Sequence, residues 1–310
     1  MASITLAESA KLSQDDLVAG IIENIITVNH FFDALPFDGI EGNSLAYNRE
    51  NTLGDVIVAG VGTTFSGAGA GKNAATFDTV NSNLTTIMGD AEVNGLIQAT
   101  RSSDGNDQTA VQIASKAKSA GRKYQDQFIN GTGTGNEMLG LTQLCADSQK
   151  IATEENGEEL SFEMLDQLID TVTDKDGVVD YVMMHARTLR SYKALLRKLG
   201  GASINEVIEL PSGNNVPAYS GVPIFRNDYI PTNQVKGTSE KTTSIFAGTF
   251  DDGSRTHGVA GLTAARASGI QVEDVGVSED KDEHIWRVKW YTGLALFSEK
   301  GLACVSGVTN

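Results

Sequence analysis

The sequence predicts an α+β protein, in which helices and strands occur in mixed runs. Three observations predict this class: a long amphipathic helical pattern through residues 107–128, an apolar strand pattern and a second helical pattern through residues 180–201, and a strand-rich last third. Strands do not alternate regularly with helices, as they do in proteins built on a parallel sheet. The sequence contains no internal repeat and no long linker.

The first elements along the chain are short. Ser13 and Asp16 form a pattern similar to a capping box, and apolar residues follow at helical spacing, so a short N-terminal helix is expected. Residues 35–51, LPFDGIEGNSLAYNREN, predict a strand and a turn, with Gly39 and Gly42 as turn residues.

Residues 52–76 form an unusual segment, TLGDVIVAGVGTTFSGAGAGKNAAT, with six glycines and with Phe65 as its single aromatic residue. Ordering glycine costs more backbone entropy than ordering any other residue, and the few large apolar side chains here recover little by burial. The segment is therefore expected to be a long hairpin that rests on a neighbouring molecule.

The tip of this segment is similar to a P-loop, a phosphate-binding motif. Gly71 and Lys72 match the motif, but Ser66 stands where its first glycine belongs, and Asn73 stands where a hydroxyl would bind magnesium. Two of the four key positions fail, so the sequence disfavours an ATP site. A nucleotide-binding enzyme that uses Gly71 and Lys72 is nevertheless the alternative from a different functional class.

The next segment, residues 77–100, is expected to form strands, and a helix of roughly 22 residues and about 33 Å is expected after it. The apolar positions of this helix recur at spacings of three and four: Ile113, Ala117, Ala120, Tyr124 and Phe128. Its polar side carries a basic patch: Lys116, Lys118, Arg122 and Lys123. The patch is either a solvated face with cations near the helix C-terminus or a contact with an acidic neighbouring subunit.

A glycine-rich loop, QFINGTGTGNEMLGL, ends this helix at residues 127–141. Gly131, Gly133 and Gly135 alternate and follow a helix, whereas a dinucleotide fingerprint has a different glycine spacing and follows a strand. Glycine beyond a helix usually adopts a left-handed conformation that caps the last carbonyls. The loop is therefore expected to end the helix without binding phosphate.

The last third predicts several strands: NEVIELP, GVPIFRND, TSIFAGTF and HIWRVKWYTGLALF. In the longest of them, period-two alternation places Trp286, Val288 and Trp290 on one face. Arg287 and Lys289 then lie on the opposite face.

Composition excludes several classes of function. The 310 residues carry a formal net charge of -16, which argues against tight binding to nucleic acid. Cys145 and Cys304 are far apart in sequence and are expected to be buried thiols in a reducing compartment. The N-terminus lacks a signal-peptide pattern, and no stretch approaches the roughly 20 apolar residues of a membrane span. We therefore expect a soluble, cytoplasmically made protein with no membrane partner.

The sequence provides no pattern for catalysis. Its four histidines are scattered, without the spacing of a metal site: His30, His185, His257 and His284. It contains no nucleophile elbow and no cysteine nucleophile signature, and its carboxylates are too numerous to assign to acid–base roles. We expect no enzyme activity, no metal and no cofactor.

Taken in order, these features resemble the major capsid protein of tailed bacteriophages, which has the Hong Kong 97-like fold. Residues 35–51 resemble the strand that leads into the extended E-loop of that family. Residues 107–141 resemble its spine helix and the turn that follows, in which Asn130, Gly131, Gly133 and Gly140 would let the chain enter the axial domain. Further matches lie in LPSGNNVPAYSGVPIFRNDYIP, SIFAGTFDD and the closing stretch: Gly221, Val222, Pro223, Ile224, Pro231 and Ala303.

The resemblance implies a division of the chain into family segments. These are an N-terminal arm (1–34), a peripheral-domain strand (35–51), the E-loop (52–82), the peripheral domain with the spine helix (83–141), the axial domain (142–275), a long peripheral-domain strand (276–298) and a C-terminal axial segment (299–310).

The resemblance also implies a function: self-assembly through hexamers and pentamers into an icosahedral shell that encloses phage DNA, with weak non-specific DNA contact. Candidate contacts between subunits are Phe65, Lys72, Phe77, Lys116, Arg122 and Lys123. Scaffolding, portal and possible decoration proteins are the implied partners, and assembly is expected in the host bacterial cytoplasm before the virion forms. The matching pattern begins within about 30 residues of Met1, which predicts a separate scaffold protein or none.

Two alternatives stay open within the resemblance. Encapsulin compartments of cells share this fold, so an encapsulin-like nanocompartment shell is the alternative function. Some family members crosslink a loop lysine to an asparagine of a neighbour, and Lys72 lies at a comparable place, although no partner asparagine or catalytic glutamate can be assigned.

Overall fold

A computed structural model describes residues 31–64, 71–101, 107–174, 177–199, 207–210 and 213–309. The described α-helices are α1 (Phe31–Ala34), α2 (Gly95–Arg101), α3 (Gln108–Asn130), α4 (Leu141–Leu144), α5 (Phe162–Thr173) and α6 (Ala186–Lys198). The helix expected near Ser13 lies outside the described residues. No described helix is long and apolar enough to cross a membrane.

The first of three described sheets is a two-stranded antiparallel hairpin of β2 (Ser44–Thr52) and β3 (Thr76–Asn83). The ladder runs from the pair Ser44 and Asn83 to the pair Thr52 and Thr76, with one irregularity near its far end. The segment expected to form a hairpin, residues 52–76, is therefore flanked by two paired strands, and residues 65–70 within it lie outside the described residues.

A five-stranded sheet is organised by its longest strand, β15 (Glu283–Leu296). The first part of β15 lies between β4 (Thr85–Asn94) and β14 (Gln271–Val277), and its last part pairs with β13 (Val259–Ala264). The remaining strand, β1 (Phe37–Ile40), pairs in parallel with β13. This sheet therefore joins segments that are more than 200 residues apart in sequence.

A nine-stranded sheet contains the middle and the end of the chain. Its strands are β5 (Lys150–Ala152), β6 (Glu158–Glu159), β7 (Tyr181–Met184), β8 (Val207–Glu209), β9 (Asn215–Tyr219), β10 (Val222–Arg226), β11 (Gln234–Lys236), β12 (Ser239–Gly248) and β16 (Leu302–Thr309). The order β5-β16-β12-β7-β10-β9-β8 places β7 near the centre, and all four β7 residues are buried, as the apolar run predicts.

The long helix α3 packs against β4 and β15 of the five-stranded sheet. Asp107 caps its start by accepting a hydrogen bond from the backbone N–H of Thr109 at 2.9 Å. Tyr124 and Phe128, both predicted to face inward, are buried. Phe128 also contacts Phe31, whose ring lies 4.9 Å from that of Tyr181 in the nine-stranded sheet, so an aromatic core connects the two sheets.

One predicted element differs from the structure. Residues 95–101 form helix α2, not strand, because the strand ends at Asn94, whose side chain accepts a hydrogen bond from the N–H of Leu96. Strand β13 and most of β14 lie within residues 142–275, which we expect to be the axial domain, and both strands pair with β15; the domain bounds remain a prediction. Five of the six residues of β13 are buried, and this burial does not distinguish one sheet from the other.

Candidate assembly surfaces

The base of the hairpin is fixed to the body of the subunit. The Tyr47 hydroxyl donates to the carbonyl oxygen of Leu296 at 2.7 Å. The Arg49 guanidinium donates to the same carbonyl at 2.7 Å, to that of Phe297 at 3.3 Å, and to the Glu299 carboxylate at 2.6 Å. These contacts join the hairpin to the end of β15, and they help to fix its direction from the body.

Beyond this base, the hairpin presents apolar side chains to solvent. Exposed apolar residues of the hairpin are Leu53, Val56, Val58, Val61 and Phe77. Val56 is 92% exposed and Phe77 is 65% exposed. The two arms are tied together locally, since the Asp55 carboxylate accepts hydrogen bonds from the backbone and the side chain of Asn73 at 2.6 and 3.1 Å. The hairpin has a defined shape here, and its apolar side chains remain unburied within the described subunit.

The hairpin contains three of the candidate contact residues. Phe65 lies outside the described residues. Lys72 is exposed and forms no ion pair within the described ranges of the chain. Phe77 is a large exposed aromatic side chain at the start of β3, and it remains a predicted contact with a neighbour.

The basic patch of α3 is partly engaged within the subunit. The Lys123 ammonium lies 3.3 Å from the Asp126 carboxylate, one turn along the helix. Lys116 is exposed and lies near Asp90 of β4, whose pKa is lowered first by its hydrogen bond to Arg287 and less by the charge of Lys116. Arg122 is half-buried and interacts with other groups of the chain. Both sequence interpretations of this patch, solvated face and subunit contact, remain predictions.

The turn after α3 is held by backbone contacts that leave no room for a side chain at Gly131. A Cβ atom built on Gly131 would lie 2.2 Å from the carbonyl oxygen of Met138 and 2.6 Å from that of Gln127. The Gly131 N–H donates to the Gln127 carbonyl at 2.9 Å, and the Gly140 N–H donates to the Gly131 carbonyl at 2.9 Å. The helix exit is therefore a closed backbone turn that returns the chain to the helix end.

The conformation of this turn corrects one expectation. Gly131 was expected in the left-handed region, but its φ is -53°, and glycine is needed there because of close approach. Gly133 does adopt a left-handed conformation, with φ at 70°. The Asn130 amide donates at 3.0 Å to the carbonyl oxygen of Tyr229, which links the helix end to the segment after β10. All four predicted turn residues thus lie in one structural unit.

The structure describes three of the four histidines, and one of them, His257, is exposed with its Nδ1 atom 3.0 Å from the Thr256 hydroxyl. His185 caps the start of α6 by accepting a hydrogen bond from the Arg187 N–H at 3.0 Å, and burial is the main cause that lowers its pKa. His284 lies 2.7 Å from the Asp274 carboxylate on the neighbouring strand. His30 lies outside the described residues. No group of three or more potential metal ligands occurs among the described residues.

Sequence reasoning did not identify Tyr47 and Arg49 as anchors of the hairpin. Their partners lie almost 250 residues away, and the strand pattern of β2 gives no sign of them. The one available signal is that Leu45, Tyr47 and Arg49 alternate along β2, so that three large side chains lie on one face of the strand.

Comparison with known proteins places these features in a family. A family model described as SU10 major capsid protein matches residues 44–212, which is more than half of the chain. The matched range contains the hairpin, α3 and its glycine turn. A search of curated proteins finds no match.

Solved structures share the fold over nearly the full chain at low identity. The holo-SrpI encapsulin complex from Synechococcus elongatus PCC 7942 matches with a TM-score of 0.73 and 16% identity, covering 99% of this chain and 96% of that one. The capsid of a native GTA particle matches with a TM-score of 0.65 and 12% identity, and Microbacterium phage Oxtober96 matches with a TM-score of 0.64 and 13% identity. Each match covers 100% of this chain and 100% of the other chain. At these identities the encapsulin match indicates a related fold and nothing more.

Proposed function

The chain belongs to the SU10 major capsid protein family, and from this premise we propose that its hairpin joins each subunit to a neighbour in the shell. The protein is a structural component of a tailed-phage virion capsid, with the Hong Kong 97-like fold, and it self-associates into a shell. The proposal concerns how that shell is held together. It includes no catalysis and no cofactor.

The observation that carries the proposal is the contrast between the base and the distal part of the hairpin. Its base is fixed to Leu296, Phe297 and Glu299, whereas its apolar side chains from Leu53 to Val61 lie in solvent. An exposed valine that becomes fully buried contributes about 1.5–3 kcal/mol. A neighbouring subunit that covers these residues would therefore recover a stabilisation that the isolated subunit lacks.

The assembly that we propose uses heterologous contacts, in which two different patches meet. Such contacts close into rings, here hexamers and pentamers, when the rotation between subunits closes. Each contact in the resulting icosahedral shell is weak, but removing one subunit requires breaking several contacts together. The crosslink through Lys72 is not part of the proposal, because no partner asparagine is assigned.

The remaining partners follow from the same role. We propose scaffolding, portal and decoration proteins as partners, with assembly in the host bacterial cytoplasm. The formal net charge of -16 is suited to enclosing double-stranded DNA, since an acidic wall does not adhere to a polyanion. No membrane partner is included.

Deletion of residues 60–74 tests the proposal. The shortened subunit should fold with unchanged circular dichroism but should fail to form stable shells in negative-stain micrographs. Unfolding of the deletion variant would instead place the segment in the core of the subunit. A milder variant, Val58→Ser with Val61→Ser, should lower shell yield and change subunit stability by at most about 0.5 kcal/mol. Asn81→Ser, an exposed polar change on the same hairpin, is its matched control and should leave the yield unchanged.

A further inference from the structure

The two cysteines of the chain lie on the same side of the nine-stranded sheet, although they are far apart in sequence. Cys145 directly follows helix α4, and Cys304 lies in the last strand, β16. Cys304 packs in the apolar cluster that also contains Cys145. Its neighbours Ala303 and Val305 pack in the cluster on the opposite face. Because alternate strand residues point to opposite faces, the Cys304 side chain points to the side of the sheet that carries Cys145.

The backbone brings Cys145 to the strand beside Cys304. The Cys145 Sγ atom lies 3.8 Å from the carbonyl oxygen of Gln149, the residue directly before β5. Strand β5 begins at Lys150, which pairs with Cys304 in the parallel ladder of β5 and β16. Neighbouring strands of a sheet are only about 4.8 Å apart. Both sulfur atoms therefore lie in one small region of the core.

The two thiols interact with each other, and this interaction makes them chemically different. The hydrogen bond between their side chains is the main cause that raises the pKa of Cys145 and lowers the pKa of Cys304. The positive charge of Lys150 acts to lower the pKa of both thiols. Cys145 therefore keeps its proton, and Cys304 more readily becomes a thiolate, which is the reactive form of cysteine.

Burial limits the oxidants that can reach this pair. Cys145 is 2% exposed and Cys304 is 4% exposed, so a bulky disulfide reagent has no access to either sulfur in the folded subunit. Hydrogen peroxide is little larger than water, and it oxidises cysteine thiolates. The Lys150 side chain is exposed, and it leads from the region of the two sulfurs to the surface. A small peroxide is therefore the class of oxidant that fits this site.

We propose that Cys145 and Cys304 are an oxidation site, at which hydrogen peroxide closes a disulfide within the folded subunit. The Cys304 thiolate attacks one oxygen of the peroxide, the O–O bond breaks, and the products are a Cys304 sulfenic acid and hydroxide. The hydroxide takes the proton of Cys145 and becomes water. The Cys145 thiolate then attacks the Cys304 sulfur, the S–O bond breaks, and hydroxide leaves as the disulfide forms. The two sulfurs are oxidised, and the two peroxide oxygens are reduced.

The disulfide would stabilise the part of the chain that forms the nine-stranded sheet. It would close a loop of about 160 residues, which contains α5, α6 and most strands of that sheet. A cross-link across a long loop restricts the unfolded chain and so favours the folded one. A subunit made in the reducing host cytoplasm would gain the cross-link only after release from the cell, and this timing rests on the proposed function.

Prolonged peroxide treatment of the full-length, folded subunit tests the site. The remaining thiols are then blocked in denaturant, and the peptides are mapped by mass spectrometry without reduction. We expect a cross-linked peptide pair that contains Cys145 and Cys304. We also expect a higher midpoint of denaturant unfolding, which returns to its starting value after treatment with dithiothreitol. Free thiols at both positions, sulfinic acids without a cross-link, or disulfides only between copies would each overturn the proposal.

Two matched single variants test the roles of the two sulfurs. In Cys145→Ser the Cys304 sulfenic acid has no partner thiol and should accumulate, and dimedone added with denaturant traps it. In Cys304→Ser the remaining thiol keeps its proton and should give at least about tenfold less dimedone adduct. Neither variant should gain stability from peroxide. Equal adducts in both variants would contradict the assignment of Cys304 as the sulfur that reacts first.

These measurements separate the oxidation site from the proposed function. The peptide map uses the wild-type chain, so it decides the proposal even if a serine variant does not fold. All readouts use free subunits. A failure to form shells would therefore contradict the proposed function and leave the oxidation site unaffected.

Discussion

Arg49 and Glu299 form an ion pair across 250 residues of sequence, with Nη1 of the arginine 2.6 Å from Oε1 of the glutamate. The arginine side chain is only 15% exposed, and its other nitrogens donate to the carbonyls of Leu296 and Phe297. This single side chain therefore joins the base of the hairpin to the end of β15 and to the residues that follow it. The hairpin is oriented before any neighbour binds.

Replacing Arg49 by alanine should weaken both the subunit and its assembly. The change leaves two carbonyls without this donor, and hydrogen bonds to charged groups contribute about 1.5–3 kcal/mol each at most. We expect a loss of about 1–3 kcal/mol in the free energy of unfolding, measured by denaturant titration, and a lower shell yield. Arg49→Lys retains the charge but not the forked geometry, and should be intermediate. Unchanged stability of Arg49→Ala would contradict the anchoring role.

Gly131→Ala should destabilise the subunit, although alanine favours helices. Its Cβ would meet backbone carbonyls that cannot move away without opening the turn. The expected cost is at least about 1–3 kcal/mol in unfolding free energy. Gly121→Ala, inside α3, is the control: a Cβ there meets nothing within 4 Å, and the change should stabilise the subunit by up to about 1 kcal/mol. Equal effects at both glycines would show that the turn is not closed as described.

The Asp90 carboxylate should contribute to the acid sensitivity of the subunit. It accepts two hydrogen bonds from Arg287, at 2.7 and 2.8 Å, and these are the main cause that lowers its pKa below the ordinary value of 3.8. A lowered folded-state pKa means that the stabilisation is present above about 3.8 and is lost as the pH falls through the lower folded-state pKa. Asp90→Asn should therefore flatten the decline in stability below pH 3.8, measured by thermal unfolding across pH. An unchanged slope would contradict this contribution.

Local patterns predicted much of the fold. The spacing of Tyr124 and Phe128 identified α3, and the apolar run of β7 identified a buried strand. The membership of β13 and β14 in their sheet depends on pairing with β15, which no local pattern encodes. Pairings between distant segments were the part that sequence periodicity could not supply.

The candidate assembly surfaces were predicted in part for the same reason. The poverty of large apolar side chains in residues 52–76 indicated a segment that depends on a neighbour. The sequence also indicated that position 131 needs glycine, but it did not show why. The reason is that the carbonyl oxygen of Met138 lies close to Gly131 in the closed turn, and a sequence pattern does not show this contact.

The most direct test of the account is the reactivity of a thiol placed at Val58, in free subunits and in shells. The native thiols, Cys145 and Cys304, are buried, so a Val58→Cys variant gives a signal from the hairpin alone. We expect a maleimide to label this cysteine rapidly in free subunits and at least about tenfold more slowly in shells, since labelling requires an accessible thiolate. Equal, rapid labelling in both forms would contradict the claim that a neighbouring subunit covers the hairpin.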